Sequence, residues 1–427
     1  MLVAAALVTL VAAFALVWRG KDVRAVLLVA ALLIGALAGH PGAVLRKSLE
    51  TLADGKFLLP ICTAMGFAHV MHHTRCVEAL VRMLLRPLAG LERALLPAGS
   101  CAALVANMAI PSQTSTLAAT GPLVAPLMAQ ARLGAVSSGV ALVLGASIAG
   151  ALLNPGVADV LAVAKLTGLP APRVAVSFAP GVLAAFVVGA ALVSWRARAH
   201  AGEAPLRVDG EPADAAPSRL KALLPPLPVV WLLLGHPSLP THALVARVTP
   251  AGLEVATAML AGSALAMTLA TRDRPGAMRA QLDGMGYAFV HIVTLIAVSS
   301  GFAKSLELAG VLRAFVHVSQ GQPAFALVTA FALAFALAFV SGSGTASSVA
   351  LVAALGPRAA QLGVAPMVLG GVILFAAEAG RTASPVAAVL LFGGALVDVP
   401  PRALTLRLIG PCLAAAAAGA LVCVARG

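Results

Sequence analysis

Charge is scarce in this 427-residue chain: 11% of its residues are Asp, Glu, Lys or Arg, against about 25% in an ordinary soluble domain. Together with 60% hydrophobic residues and a mean hydropathy of +0.99, that scarcity excludes a soluble globule and points to a polytopic membrane protein. Cysteine is also sparse. Cys62, Cys76, Cys101, Cys412 and Cys423 are scattered with no CxxC pair, so reduced, buried thiols are expected and no metal cluster. Period-2 alternation is missing, which excludes a membrane β-barrel and leaves an all-α architecture. Neither a GxSxG elbow nor an HExxH string occurs, so no enzyme is expected. The apolar run 2–17 lacks a basic leading segment and reads as a first membrane helix rather than a cleaved signal.

What is present is a series of apolar runs long enough to cross a bilayer, for which about 20 residues suffice. They fall near 2–18, 22–39, 56–73, 135–153 and 176–194, then near 222–236, 251–270, 284–303, 323–340, 365–380 and 404–424. A polar, flexible linker at 196–221 separates a first unit, 1–195, from a second, 222–427. The formal charge of +13 comes from Lys and Arg spread over short loops. Such charges set membrane topology, and no nucleic-acid partner is expected. Placing the linker and the loops 19–24, 74–98 and 271–283 inside collects most of them, including Arg75, Arg82, Arg86, Arg93, Arg272, Arg274 and Arg279. The outer loops keep Arg46, Lys47, Lys56, Arg247, Lys304 and Arg313, and both termini lie outside. Segment 43–55 reads as an amphipathic helix lying on the surface.

The chain also repeats itself. GFA at 66–68 recurs at 301–303, Ser112 answers to Ser341, Leu133-Gly134 to Leu362-Gly363, and Pro155, Pro170 and Pro180 to Pro385, Pro400 and Pro411. The offset stays between 229 and 235. Weak repetition in so apolar a chain predicts a transporter with one substrate site between two inverted repeats.

Polar interruptions of the runs carry the candidate chemistry. The tip 111–116, with Ser112, Gln113, Thr114, Ser115 and Thr116, joins two runs too short to span, which predicts a re-entrant hairpin. Its counterpart is Ser341, Gly342, Ser343, Gly344 and Thr345, where two glycines free the backbone. Broken helices are expected at 145–156, around Pro155, and at 376–385, around Pro385. Irregular backbone at membrane depth lines a cavity, where half-helix N-termini favour an anion. Arg381 inside an apolar run costs roughly 2.5–3.5 kcal/mol on insertion scales and must be compensated. Its planar fork suits a carboxylate, supplied either by a substrate acid or by Glu378 in a fixed i, i+3 pair. Asp159 is either a cation or proton ligand or a helix cap. Thr382 and Ser384, with the tip hydroxyls, either bind substrate oxygens or pack within helices. Candidate coupling groups are Asp159, Glu378 and the backbone near Ser147 and Asn154. His69, His72 and His73 share a helix face at i, i+3, i+4, but no acid or cysteine stands at matching spacing and no metal is expected.

The stretches 65–88, 112–116, 154–164, 341–346 and 378–390, with GRTxSP at 380–385 the most specific, resemble DcuC, the bacterial four-carbon dicarboxylate uptake family. That resemblance covers nearly the whole chain. It implies a dimeric carrier of the bacterial inner membrane, in contact with lipid, with a moving transport domain and with succinate, fumarate or malate as substrate. Ser341 to Thr345, Arg381, Thr382, Ser384 and Asp159 fall on positions of the family pattern. The chain departs from it at Pro111, Gln113, Asn154 and Glu378, so a related organic acid stays open as substrate. No cofactor is expected beyond Na+ or H+ as coupling ion, and a sodium/proton exchanger is the rival reading.

Overall fold

In a computed structural model the described residues are 2–19, 21–85, 95–200, 202–207, 218–235, 240–249, 254–319 and 321–427. Arg86 and Arg93 of one predicted inner loop, and Asp209, Glu211 and Asp214 of the linker, lie outside them. The described residues form helices and no strand.

The first series comprises α1 (Leu2–Trp18), α2 (Val23–Leu37), α3 (Pro41–Leu52), α4 (Gly55–His73) and α5 (Cys76–Leu85). It continues through α6 (Leu95–Ala109), α7 (Gln113–Gln130), α8 (Ala135–Ser147), α9 (Ala158–Thr167) and α10 (Ala171–Ala199). A short α11 (Arg219–Leu223) leads to α12 (Leu227–Leu234), α13 (His242–Val248), α14 (Glu254–Leu269), α15 (Arg274–Ala288) and α16 (Thr294–Leu308). The second series ends with α17 (Val311–Ser319), α18 (Pro323–Ser341), α19 (Gly344–Leu355), α20 (Pro366–Ala383), α21 (Ala388–Leu396) and α22 (Pro401–Arg426).

The two series match helix for helix from α4/α16 to α10/α22, and their caps match too. Ser112 caps α7 by accepting from Ser115 N, and Ser343 caps α19 by accepting from Ala346 N. Ser343, rather than the expected Ser341, is therefore the counterpart of Ser112. A serine oxygen at this position satisfies an amide that the first helical turn leaves open. Pro170 and Pro400 stand at the N-caps of α10 and α22, where a fixed φ suits the turn into a helix.

Packing crosses between the series. α4 lies on α14 and α15, and α16 lies on α2 and α3; α9 packs on α19, and α21 on α7. The GFA repeat marks two of these crossings. A side chain at Gly66 would strike Gln281 of α15, and one at Gly301 would strike Ser48 of α3. At Gly66 the Gln281 backbone oxygen itself comes too close for a Cβ, whereas at Gly301 the obstacle is the Ser48 hydroxyl. The interrupted spans 135–167 and 366–396 are 89% and 83% buried over their most apolar stretch, whereas α10 and α22 reach 39% and α18 22%. The broken helices therefore lie inside the protein, the one place where unsatisfied backbone survives at membrane depth.

Several expectations are corrected. The predicted span 222–236 is divided at Leu224–Pro226, because consecutive prolines cannot donate to a continuing helix. The span predicted at 284–303 begins at Arg274 and runs to Leu308 through a π turn at Phe289–Val293, so Arg274 and Arg279 stand on a helix and not in a loop. α3 does not lie free on a surface, since Val44 and Ser48 are buried where it meets α16. Part of the linker is pinned: Glu203 accepts from Ser137 N at 3.0 Å and Ser137 Oγ at 2.8 Å, and Leu206 N donates to Leu133 O. Gly134 has no side chain with which to cap α8, and Glu203 caps it from outside.

Candidate functional site

The first break spans Ile148–Val157, with one 3-10 turn at Gly150–Leu153. Two buried asparagines replace its missing helical hydrogen bonds. Asn107 Oδ1 accepts from Ala151 N at 2.8 Å, and its Nδ2 donates to Thr116 Oγ1 at 3.4 Å. Asn154 Nδ2 donates to Met108 O at 3.1 Å while its Oδ1 accepts from Gly156 N at 2.9 Å. These bonds tie the first break to the first hairpin, and Asn154 is spent holding backbone. Asn107 was not singled out in the sequence, where a lone amide inside an apolar run is easily passed over.

The second break is shorter than expected. α20 continues through Glu378, Gly380, Arg381 and Thr382, and helix is lost only at Ser384–Ala387. The continuing turn is held by Thr382 Oγ1, which donates back to Glu378 O at 2.6 Å. Ser384 is buried and accepts from Val386 N at 3.4 Å, closing the turn around Pro385.

Between the breaks lies a charged cluster. Glu378, Arg381 and Asp159 are 1%, 6% and 5% exposed. Arg381 forms an ion pair with Glu378 at i, i+3, and its Nη2 donates to Ser147 O, at the C-terminal end of α8, at 2.9 Å. Carbonyls at a helix C-terminus carry partial negative charge and suit a guanidinium. Ser147 Oγ lies 2.8 Å from Thr382 Oγ1, within hydrogen-bond distance. Arg381 Nε has no partner among the described residues although it is buried.

Asp159 lies in the first turn of α9, and it caps nothing there. Its carboxylate instead accepts from Thr345 Oγ1 at 3.0 Å and from Ser348 Oγ, both in the first two turns of α19. Two helix N-termini thus face one buried carboxylate, which helps it stay in the core although it forms no ion pair among the described residues. Ser348 was missed in the sequence; its i+3 spacing from Thr345 is the available signal. Gly344 brings α19 against α20: a Cβ there would stand 3.1 Å from Glu378 Oε1 and 3.5 Å from Arg381 Cζ. Gly342, in the left-handed region at φ 68°, would press Ala387 backbone atoms at 3.1 Å if it carried a side chain.

The fold thus gathers Ser147, Asp159, Gly344, Thr345, Glu378, Arg381 and Thr382. Ser341 and Ser343 stay within the second tip, Ser341 Oγ accepting from Ser343 N at 3.2 Å. The first tip forms a separate network. Ser112 Oγ donates to Ser115 Oγ at 2.9 Å, Thr116 Oγ1 donates to Ser112 O at 2.9 Å, and Gln113 and Thr114 are half-buried. The three histidines do not converge. His72 Nε2 lies 3.0 Å from Ser115 O, His73 pairs with Asp273 at 3.1 Å, and His69 lies against Tyr287.

The family described as DcuC, C4-dicarboxylate anaerobic carrier, matches residues 44–425. A Haemophilus influenzae protein named as an uncharacterized transporter is 31% identical over 126 residues, covering 30% of this chain and 87% of its own. The Escherichia coli K12 anaerobic C4-dicarboxylate transporter DcuC is 24% identical over 374 residues, 84% of this chain and 78% of that one. Among solved structures, the Alcanivorax borkumensis YdaH transporter superposes with a TM-score of 0.60 at 14% identity over 89% of this chain and 88% of that chain, a likeness of fold.

Proposed function

The chain belongs to the DcuC family, whose members are carriers and not enzymes, and we propose that it is a secondary active carrier of four-carbon dicarboxylates such as succinate, fumarate and malate. The observation that carries this reading is Arg381, a buried guanidinium beside a helical tip, with its Nε unpartnered. A buried donor without an acceptor is costly. A substrate carboxylate would supply the acceptor, with the amides at the start of α19 as further donors, while the Thr345 hydroxyl is already given to Asp159. Ser112 to Thr116 would face the second carboxylate once the hairpins close on it.

The unit 1–195 and the unit 222–427, joined by 196–221, form inverted repeats in this reading. The hairpins α6–α7 and α18–α19, with the broken spans behind them, move as an elevator against α2–α4 and α14–α16, in a homodimer embedded in lipid of the bacterial inner membrane. Two buried carboxylates face one guanidinium, and a dianion adds charge of the same sign. Moving each charge against an inside-negative potential costs about 2.3 kcal/mol per 100 mV. Uptake therefore requires a co-moving cation, with Asp159 and Glu378 as its ligands, or exchange for another dianion. Ser147 O already accepts from Arg381 and Asn154 is engaged at both ends, so both are weaker candidates.

Radiolabelled succinate counterflow in proteoliposomes tests the reading. It requires uptake that depends on internal dicarboxylate and vanishes in Arg381→Ala; no counterflow by folded protein overturns it. The excess of buried acid favours one second reading, sodium/proton exchange through Asp159 and Glu378. Millimolar succinate raises the unfolding temperature of the carrier, whereas sodium and pH alone move that of an exchanger.

A further inference from the structure

Apart from the buried cluster, a cavity of about 1200 Å³ opens between α3, α9, α16, α19 and the loop 356–361. Five cations line it, Arg46, Lys47, Lys165, Lys304 and Arg358, against two acids, Glu50 and Glu307. Lys304 and Arg358 share Glu307, at 3.2 and 3.4 Å, and Lys165 pairs with Asp54 at 2.5 Å. Arg46 and Lys47 form no side-chain ion pair among the described residues, and both are exposed. The cavity keeps an excess of positive charge.

That charge sits where the positive-inside rule would remove it. Arg46 and Lys47 of α3 and Lys304 of α16 fall on the outer side in the charge-based topology, and Lys165 and Arg358 line the same cavity. Cations retained there are unexplained by topology and call for a different role. The inner wall includes Ala162, Ser300 and Val349. Ala162 is three residues beyond Asp159, about 4.5 Å along the helix axis, and Val349 directly follows Ser348. The cavity thus runs from a basic rim to the back of the α9–α19 contact that binds Asp159.

The geometry points to this cavity as an anion-collecting antechamber, in which Arg46 and Lys47 hold small soluble dicarboxylates before they reach the buried cluster. The inference rests on the dicarboxylate reading. A basic cleft with low-dielectric walls focuses its field and concentrates anions, and salt screens the effect.

The test is the reactivity of Ser300→Cys, with Cys101 and Cys423 replaced by Ser, toward negatively and positively charged methanethiosulfonates in vesicles of neutral lipid. Relative to a free thiol, the anionic reagent is expected to react about tenfold faster at low ionic strength, the lower end for focused clefts. Added salt, or Arg46→Gln with Lys47→Gln, removes the preference, and succinate slows the reaction. Equal rates, or a faster cationic reagent, overturn the antechamber even if counterflow persists. A preference that succinate leaves untouched, with no counterflow, keeps an anion vestibule and overturns the dicarboxylate reading. An apolar groove adjoins the cavity at Ala303 and Leu312, so a lipid headgroup is the rival anion. Loss of the preference when anionic lipid is added, with no protection by succinate, assigns the cations to lipid and overturns the antechamber.

Discussion

Asp159 of α9 accepts a hydrogen bond at 3.0 Å from Thr345 of α19, 186 positions further along the chain. The bond joins the broken helix of one series to the hairpin tip of the other. It holds a buried carboxylate that forms no ion pair among the described residues, so the group leans on two hydroxyls and two helix N-termini.

Asp159→Asn keeps the shape and removes the charge. Folding yield stays near that of the native chain, while the dependence of flux on sodium is weakened; flux assays across a sodium series read this out. Thr345→Val removes one donor to a charged group and weakens the fold by about 1.5–3 kcal/mol, seen as a lower unfolding temperature in detergent.

Removing one member of a buried pair leaves the other uncompensated, so Arg381→Ala destabilises by about 3–5 kcal/mol. Loss of transport in that variant alone would be ambiguous. The double variant Glu378→Gln, Arg381→Met recovers stability, because no charge is left unpaired, yet it does not transport succinate. Recovery of both properties would reduce Arg381 to a structural counter-charge.

The glycines of the GFA repeat respond differently to the same change. Gly301→Ala meets the Ser48 hydroxyl and costs about 1–3 kcal/mol as overpacking, and Ser48→Ala relieves it. Gly66→Ala meets Gln281 backbone O at 2.9 Å as well as its side chain, so truncating Gln281 does not restore it. Thermal unfolding of the four variants distinguishes the two cases.

Glu203→Ala releases the linker from the start of α8. Loss of a helix cap costs about 0.5–2 kcal/mol, and limited proteolysis between α10 and α11 becomes faster while transport is largely retained.

Much of this architecture was legible because its signals are local. Pro155 and Pro385 stop a helix wherever they stand, and the polar tips at 111–116 and 341–345 fall at turns between helices, although Ser343 and not Ser341 proves the counterpart of Ser112. The extent of the second break was misread, since Gly380 and Arg381 look like interruption to a hydropathy scan. In the fold, Glu378, Arg381 and Thr382 satisfy one another within a continuous helix, and the break waits for Pro385. Asn107 and Ser348 were overlooked because their partners, Ala151 and Asp159, are distant in sequence.

The sequence by itself determined the solvent, the helices, the repetition and the positions of the interruptions, since apolar run length, proline and capping residues act over a few positions. Only the tertiary structure decided which helix of one series meets which of the other. Such contacts depend on close approach to Gln281 at Gly66 and to Ser48 at Gly301, and on two helix N-termini converging at Asp159. Both arise from packing across more than 180 residues, a distance over which no periodicity in the chain carries information.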